Sequence, residues 1–296
     1  MRNLLLFLLF LPTILRANTE NISITLLPNN NWQPLYDSVD TDLQTKLEAK
    51  LNSVNQYRRL IQQKKLAVGI VDMQGENPRF ARVNGNEMMY AASLPKIAIL
   101  FAAYASFEDG SLDESAEIHK DLTDMIRISS NAAAARVTDK IGLKKIEQVL
   151  SDPTYGFYSE SRGGGLWVGK RYASSGTRKG DPIHNISHGA TVTQVCRFYY
   201  LLSHGKLINA HRSKQMLEDL VDPHIHHKFV SQLDVLAPNA TVFRKSGTWK
   251  NWHSDSVMVW GQKWRNYILV TMVESADGEK IIRQMLPLAE KLIYQP

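Results

Sequence analysis

The sequence predicts a mixed α/β (α+β) protein, an antiparallel sheet of about five strands with covering helices plus a helical lobe. Three observations carry this. Strand-like segments rich in β-branched and aromatic residues stand near the two ends, at 66–72 and 79–84, then at 241–249, 256–260 and 267–273. The middle, roughly 107–237, reads as helices with long loops inserted in the sheet lobe. Residues 97–104 are apolar almost all round, which describes a helix through a core rather than one on a surface.

Taken in order, residues 1–17 have a basic start at Arg2, an apolar run over 4–15 broken by Pro12, and then Arg16-Ala17. This pattern predicts a secretory signal peptide cut after Ala17, with an uncut membrane anchor as the alternative. Export to the periplasm or beyond is the expectation, without stable membrane insertion once the signal is removed. Residues 18–40, polar and carrying Pro28 and Pro34, suit an extended lead-in, and one domain fills 41–296. Leu43, Leu47, Leu51, Val54 and Tyr57 predict one amphipathic helix over 42–62. After the first two strands and the apolar helix, closed at Glu108-Asp109-Gly110-Ser111, helices are expected over 113–128 and 132–140, the second stopped at Gly142. A helix over 191–202, the three C-terminal strands and a closing helix over 281–292 complete the reading.

With 296 residues, 44% of them hydrophobic, the chain can bury one sizeable core or two modest ones. Its single cysteine, Cys196, excludes an intramolecular disulfide and a cysteine zinc site, and its apolar helical setting predicts a buried structural thiol. The net charge of +6 is spread without a basic run or an aromatic-basic motif. That argues against a nucleic-acid partner and for a weak preference for anionic substrates or envelope polymers. Gly163-Gly164-Gly165 lacks the lysine–serine pair of a phosphate loop and reads as flexibility in an inserted loop. Asp222-Pro223-His224-Ile225-His226-His227 has metal-ligand residue types but no evident further ligand, so neither a metal nor another cofactor is expected. Nothing in the sequence points beyond a monomer.

The chemistry centres on Ala92-Ser93-Leu94-Pro95-Lys96, at the head of the apolar helix. On a helix, positions i and i+3 share a face, so the Lys96 ammonium is expected to reach the Ser93 hydroxyl. Pro95 suits a first helical turn. Burial disfavours the charged ammonium and makes Lys96 a usable proton acceptor, with Ser93 the nucleophile. Between the next two helices, Ser129-Ser130-Asn131 is placed to point into a cleft.

Three short motifs thus follow in order: Ser93-x-x-Lys96, Ser129-x-Asn131 and Lys245-Ser246-Gly247. Together they resemble the serine β-lactamase and penicillin-binding-protein family, most of all its class A, over roughly residues 43–292. The resemblance implies a β-lactamase/transpeptidase-like fold and assigns roles. Ser93 would be acylated and Lys96 would take its proton, while Ser129 would pass a proton to the leaving nitrogen. Asn131 would hold the substrate's amide side chain, and Lys245 would supply positive potential beside Ser129. Ser246 and Thr248 would bind the substrate carboxylate, and the N–H groups of Ser93 and Thr248 would form the oxyanion hole. Gly247 is expected because a side chain there would block substrate from the strand edge.

The departures are specific. Ser130 replaces the family's aspartate, facing away from substrate, and the segment between Ser93 and Ser129 is short, trimming one cleft wall. The class A E-x-x-x-N glutamate is missing. Its counterpart in spacing is Asp181-Pro182-Ile183-His184-Asn185, after a stretch over 155–180 that looks inserted. Asp181 is either the base that activates the hydrolytic water, with Asn185 beside it, or a turn opener. His184 and His188 stand nearby. The expected activity is opening of β-lactam rings through a Ser93 acyl-enzyme. The alternatives are a penicillin-binding protein, D-Ala-D-Ala carboxypeptidase or esterase with slow deacylation, and a non-catalytic penicillin-binding sensor. In each case the partner is a small β-lactam or a peptidoglycan peptide.

Overall fold

The structure, a computed structural model, describes residues 24–28, 32–261 and 264–294; the expected signal peptide lies outside the described residues. Helices α1 (Thr41–Asn52) and α2 (Asn55–Gln62) replace the single helix expected over 42–62. The break has a local cause: the Ser53 hydroxyl donates back to Lys50 O at 2.7 Å and β-branched Val54 takes an extended conformation, φ −100° and ψ 114°.

Strands β1 (Leu66–Asp72) and β2 (Arg79–Val83) lead to the short β3 (Met89–Tyr90) and the apolar helix α3 (Lys96–Glu108). Helices α4 (Ala116–Arg127), α5 (Asn131–Ile141) and α6 (Leu143–Ser151) follow. The last was not anticipated, because Gly142, with φ +83°, ends one helix and begins the next without a loop. Then come β4 (Tyr158–Ser159), β5 (Gly164–Gly165), β6 (Trp167–Val168), β7 (His188–Ala190) and α7 (Val192–Ser203). Helices α8 (Ala210–Leu220) and α9 (Phe229–Leu236) precede strands β8 (Thr241–Trp249), β9 (Trp252–Trp260) and β10 (Asn266–Glu274), and α10 (Gly278–Ile293) closes the described chain.

The main sheet has five strands in the order β2-β1-β10-β9-β8, every neighbouring pair antiparallel, as expected. Its strand β1 is buried at all seven positions because both faces are covered. Val68 and Ile70 pack with Leu47 of α1 and Met285 of α10 on one face, while Ala67 and Val71 join the core containing α3 and α7 on the other. The period-two alternation of one strand thus feeds two cores. A methyl on Gly69 would come within 2.9 Å of Cys196 Sγ, so the lone cysteine is a packed core group, as expected, with burial raising its thiol pKa far above the ordinary value.

The glycine run is not a flexible loop. Strand β4 pairs with β5, and β6 pairs with β7, which pairs with β3. A methyl on Gly165 would lie 1.9 Å from Phe157 O, and one on Gly169 1.6 Å from Lys179 O. These glycines permit backbones to touch, and the inserted stretch is thereby folded against the strand that leads into Ser93.

Candidate active site

Ser93 stands in a tight turn between β3 and α3. The turn is held by Ala91 N–H donating to His188 O at 2.9 Å and by Leu94 N–H donating to Ala91 O at 3.1 Å. Pro95 belongs to this turn, at the N-cap position, rather than to the first helical turn. The half-buried Ser93 hydroxyl has no hydrogen-bond partner among the described residues.

Lys96 opens α3 and is fully buried. Its Nζ donates to Ser129 O at 2.7 Å, Asn131 Oδ1 at 2.7 Å and Ser129 Oγ at 3.3 Å, so its bonds run across the cleft to Ser129-Ser130-Asn131. The expected bond from Lys96 to the Ser93 hydroxyl is absent among the described residues. Ser93 lies in the turn before α3, the two residues are joined by Lys96 N–H donating to Ser93 O at 3.2 Å, and the side-chain partners of Lys96 come from another element. Burial lowers its pKa to about 7.

Ser129 sits at φ +56° between α4 and α5. The middle residue of the triplet is a helix cap. Ser130 is the N-cap of α5, its Oγ accepting from Ala133 N–H at 3.1 Å. Aspartate caps equally well, so the exchange leaves the capping bond of α5 in place. Asn131 Oδ1 is engaged by Lys96, leaving its amide nitrogen for other partners.

From the sheet side, Lys245 on β8 donates to Ser129 Oγ at 2.8 Å and to Ser246 O at 2.9 Å. Burial, then the charges of Lys96 and Arg244, push its pKa well below the ordinary lysine range. The Ser129 hydroxyl therefore lies between two buried amines with depressed pKa values. Gly247 has a packing reason beside the one expected. A methyl there would lie 2.2 Å from Ala91 O and 2.6 Å from Ser93 N, so β8 abuts the Ser93 turn itself.

Ser246 and Thr248 project to the other side of β8. Ser246 Oγ is 3.3 Å from His227 Nε2, and the exposed Thr248 accepts from Lys228 Nζ at 2.8 Å. Lys228, fully buried, also donates to Gly247 O at 2.7 Å and Ser254 O at 3.0 Å, and burial lowers its pKa to about 8. Burial, with Arg244 and Lys228 nearby, pulls His227 down to about 4. The Arg244–Asp255 pair, at 2.7 Å and almost wholly buried, anchors this layer. Neither His227 nor Lys228 was singled out as an active-site residue, since only folding brings this stretch under the β8–β9 hairpin. The remaining histidines of 222–227 turn to local acids, His226 to Asp234 at 2.9 Å and His224 to Asp222 at 3.7 Å.

Asp181 is committed elsewhere. Nearly buried, its Oδ1 accepts from Tyr158 OH at 3.1 Å, Ile183 N–H at 3.1 Å and His184 N–H at 2.9 Å, and its Oδ2 accepts from Ile186 N–H at 2.6 Å. This is the turn-opening alternative, with three backbone N–H groups of its own loop and the Tyr158 hydroxyl holding the carboxylate. Asn185, at φ +56°, faces Arg178, which donates to its Oδ1 at 2.8 Å and to its carbonyl oxygen. Neither residue bonds to Ser93, Lys96 or Ser129. His184 lies 3.3 Å from Gly163 O, and His188 is buried with Nε2 2.8 Å from Lys170 O and a pKa lowered by burial to about 4. The side chain the insert does bring to the cluster of Lys96, Ser129 and Lys245 is Tyr172, its ring 4.7 Å from Lys96 Nζ.

A buried serine–lysine cluster between a five-stranded sheet edge and a helical lobe defines a class, and comparisons with known proteins give it a family. The sequence model of the beta-lactamase enzyme family matches residues 47–121 and 117–295, and the chain belongs to that family. No curated protein matches it in sequence. Among solved structures, the β-lactamase from Sphaerobacter thermophilus DSM 20745 superposes with a TM-score of 0.63 at 14% identity, over 84% of this chain and 95% of that one. The structure of PBP-A superposes with a TM-score of 0.60 at 18% identity, over 90% of this chain and 100% of that one. A point variant of PBP-A, in an acyl-enzyme complex with penicillin G, gives 0.60 at 18% identity over 85% and 97%. At such identities these likenesses speak for the fold alone.

Proposed function

We propose that this protein is a serine acyl-enzyme former that opens β-lactam rings at Ser93. The observation that carries the reading is the convergence of Lys96 and Lys245 on the Ser129 hydroxyl, 3.3 and 2.8 Å away. Neutral Lys96 accepts the Ser93 proton as Oγ attacks the ring carbonyl. The Ser129 hydroxyl then gives its proton to the ring nitrogen as the C–N bond breaks, and recovers one from a neighbouring lysine. The N–H groups of Ser93 and Thr248, on the turn and strand that Gly247 lets touch, receive the oxyanion; each such donor is typically worth about 3 kcal/mol. Asn131 and the Ser246–Thr248 edge, backed by Lys228, would hold the substrate's amide and carboxylate.

The fate of the acyl-enzyme favours the second reading, a penicillin-binding protein or D-Ala-D-Ala carboxypeptidase with slow deacylation, acting in the periplasm. The Asp181 carboxylate takes three backbone N–H bonds from its own turn and one from the Tyr158 hydroxyl, and none links it to Ser93, Lys96 or Ser129, which argues against its serving as the base for the hydrolytic water. The test is intact mass against time after mixing with benzylpenicillin or a chromogenic cephalosporin. A long-lived adduct on Ser93, absent in Ser93→Ala, is expected. Rapid decay with steady product release would instead establish a fast β-lactamase, and a Ser93→Ala variant that still forms the adduct would overturn the nucleophile.

A further inference from the structure

Among the described residues the inserted stretch reaches the Ser93–Lys96 cluster through Tyr172, whose side chain makes three contacts. Its hydroxyl donates to Ala92 O, the carbonyl preceding Ser93, at 2.8 Å. Its ring lies 4.7 Å from Lys96 Nζ and 4.3 Å from the ring of buried His188. His188 is fixed in turn by its strand, which pairs with β3, and by the 2.8 Å contact of Nε2 with Lys170 O. Tyr172 is therefore held in place at the nucleophile's own turn and over the nucleophile's base.

Lys96 Nζ is enclosed accordingly. Ser129 O, Ser129 Oγ and Asn131 Oδ1 take its hydrogen bonds on the helical side, and the Tyr172 ring covers it on the side of the insert. Because the phenol donates to a carbonyl, it holds its proton, and burial keeps it far above the ordinary tyrosine range. Tyr172 is thus no proton acceptor for water. Its ring is a wall.

We infer that Tyr172 is a shielding residue that keeps water away from Lys96 and the Ser93 ester, and so sets the lifetime of the acyl-enzyme. This rests on the Ser93 acyl-enzyme reading above. Hydrolysis forms a bond from the water oxygen to the ester carbon and breaks the bond to Ser93 Oγ. One proton leaves the water for a base and one is delivered to Oγ. With Asp181 spent on its turn, neutral Lys96 is the amine placed to accept that proton. The Tyr172 ring, 4.7 Å from Nζ, takes up space beside Lys96 that such a water would need.

The test compares adduct lifetimes with benzylpenicillin by intact mass in the full-length protein, Tyr172→Ala and Tyr172→Phe. Formation of the adduct itself reports a folded site, so the decay rate is read apart from acylation. The expected result is decay about tenfold or more faster in Tyr172→Ala, with Tyr172→Phe, which keeps the ring and loses the Ala92 bond, within about threefold of the parent. Decay in Tyr172→Ala no faster than in the parent overturns the inference while leaving the acyl-enzyme reading intact. Absence of any adduct on parental Ser93 overturns both. If Tyr172→Ala forms no adduct, Tyr172→Val carries the same expectation and the same refutation.

Discussion

The proposed role of Lys96, accepting a proton near neutral pH, needs a site where its charge is disfavoured, and burial at the head of an apolar helix supplies one. Acylation should therefore rise with pH through about 7 and level off above it, as Lys96 becomes neutral. Stability should follow the same group with a definite sign. The folded pKa lies below the unfolded one, so between about 7 and 10.5 the unfolded chain binds more protons and stability rises with pH across that window. Lys96→Met removes a charge that is costly to bury. It should lower the acylation rate by about 10²–10⁴ and raise stability by about 1–4 kcal/mol at pH 7, flattening the pH dependence. Stopped-flow acylation and urea unfolding at several pH values read both. A Lys96→Met variant that acylates normally would remove Lys96 from the mechanism.

At the scale of elements, the site exists because three backbones meet. The β3–α3 turn brings Ser93, the α4–α5 turn brings Ser129, and the edge strand β8 brings Lys245, with Gly247 pressed against the first of them. Gly247→Ala places a methyl 2.2 Å from Ala91 O and 2.6 Å from Ser93 N, so strand or turn must move. A displacement of this kind at the oxyanion donors should slow acylation about 10²-fold or more. The cost in folding stability should be smaller in proportion, about 1–3 kcal/mol, since an edge strand can shift. Acylation kinetics beside a thermal melt separate the two. An unchanged acylation rate would show that the strand and turn need not touch.

On the scale of the whole molecule, two cores share one sheet, and a buried ion pair ties the hairpin beneath the site to the loop before α9. Arg244 and Asp255 face each other across β8 and β9; Asp255 also accepts from Phe229 N–H at 3.1 Å, and Arg244 donates to Ile225 O at 3.0 Å. Removing one partner leaves the other charge buried and unpaired. Asp255→Ala should cost about 3–5 kcal/mol in urea unfolding, and the double replacement Arg244→Met/Asp255→Leu should recover most of it. A cost below about 1 kcal/mol for the single variant would mean that the pair is not sealed from water. Among the described residues no helix is long and apolar enough to cross a membrane.

Local pattern alone determined the strands of the main sheet, the apolar helix, the buried cysteine and the three motifs, because apolar periodicity and i, i+3 spacing are properties of neighbouring residues. The turn at Ser53-Val54, the helix after Gly142 and the short ladders of the insert were not legible, since their signals are single residues whose role depends on what packs against them. At the site, the sequence named Ser93, Lys96, Ser129 and Lys245, but only tertiary structure decided how they connect: Lys96 bonds across the cleft to Ser129 and Asn131. Folding also gave Gly247 a second reason, turned Asp181 to its own loop, and set Tyr172 over Lys96 and Lys228 beneath Thr248. The physical reason is the same in each case. A residue's chemistry is carried by its side chain, but its pKa, its partners and its access to water are set by groups tens of residues away, and those distances are closed only when the two cores form.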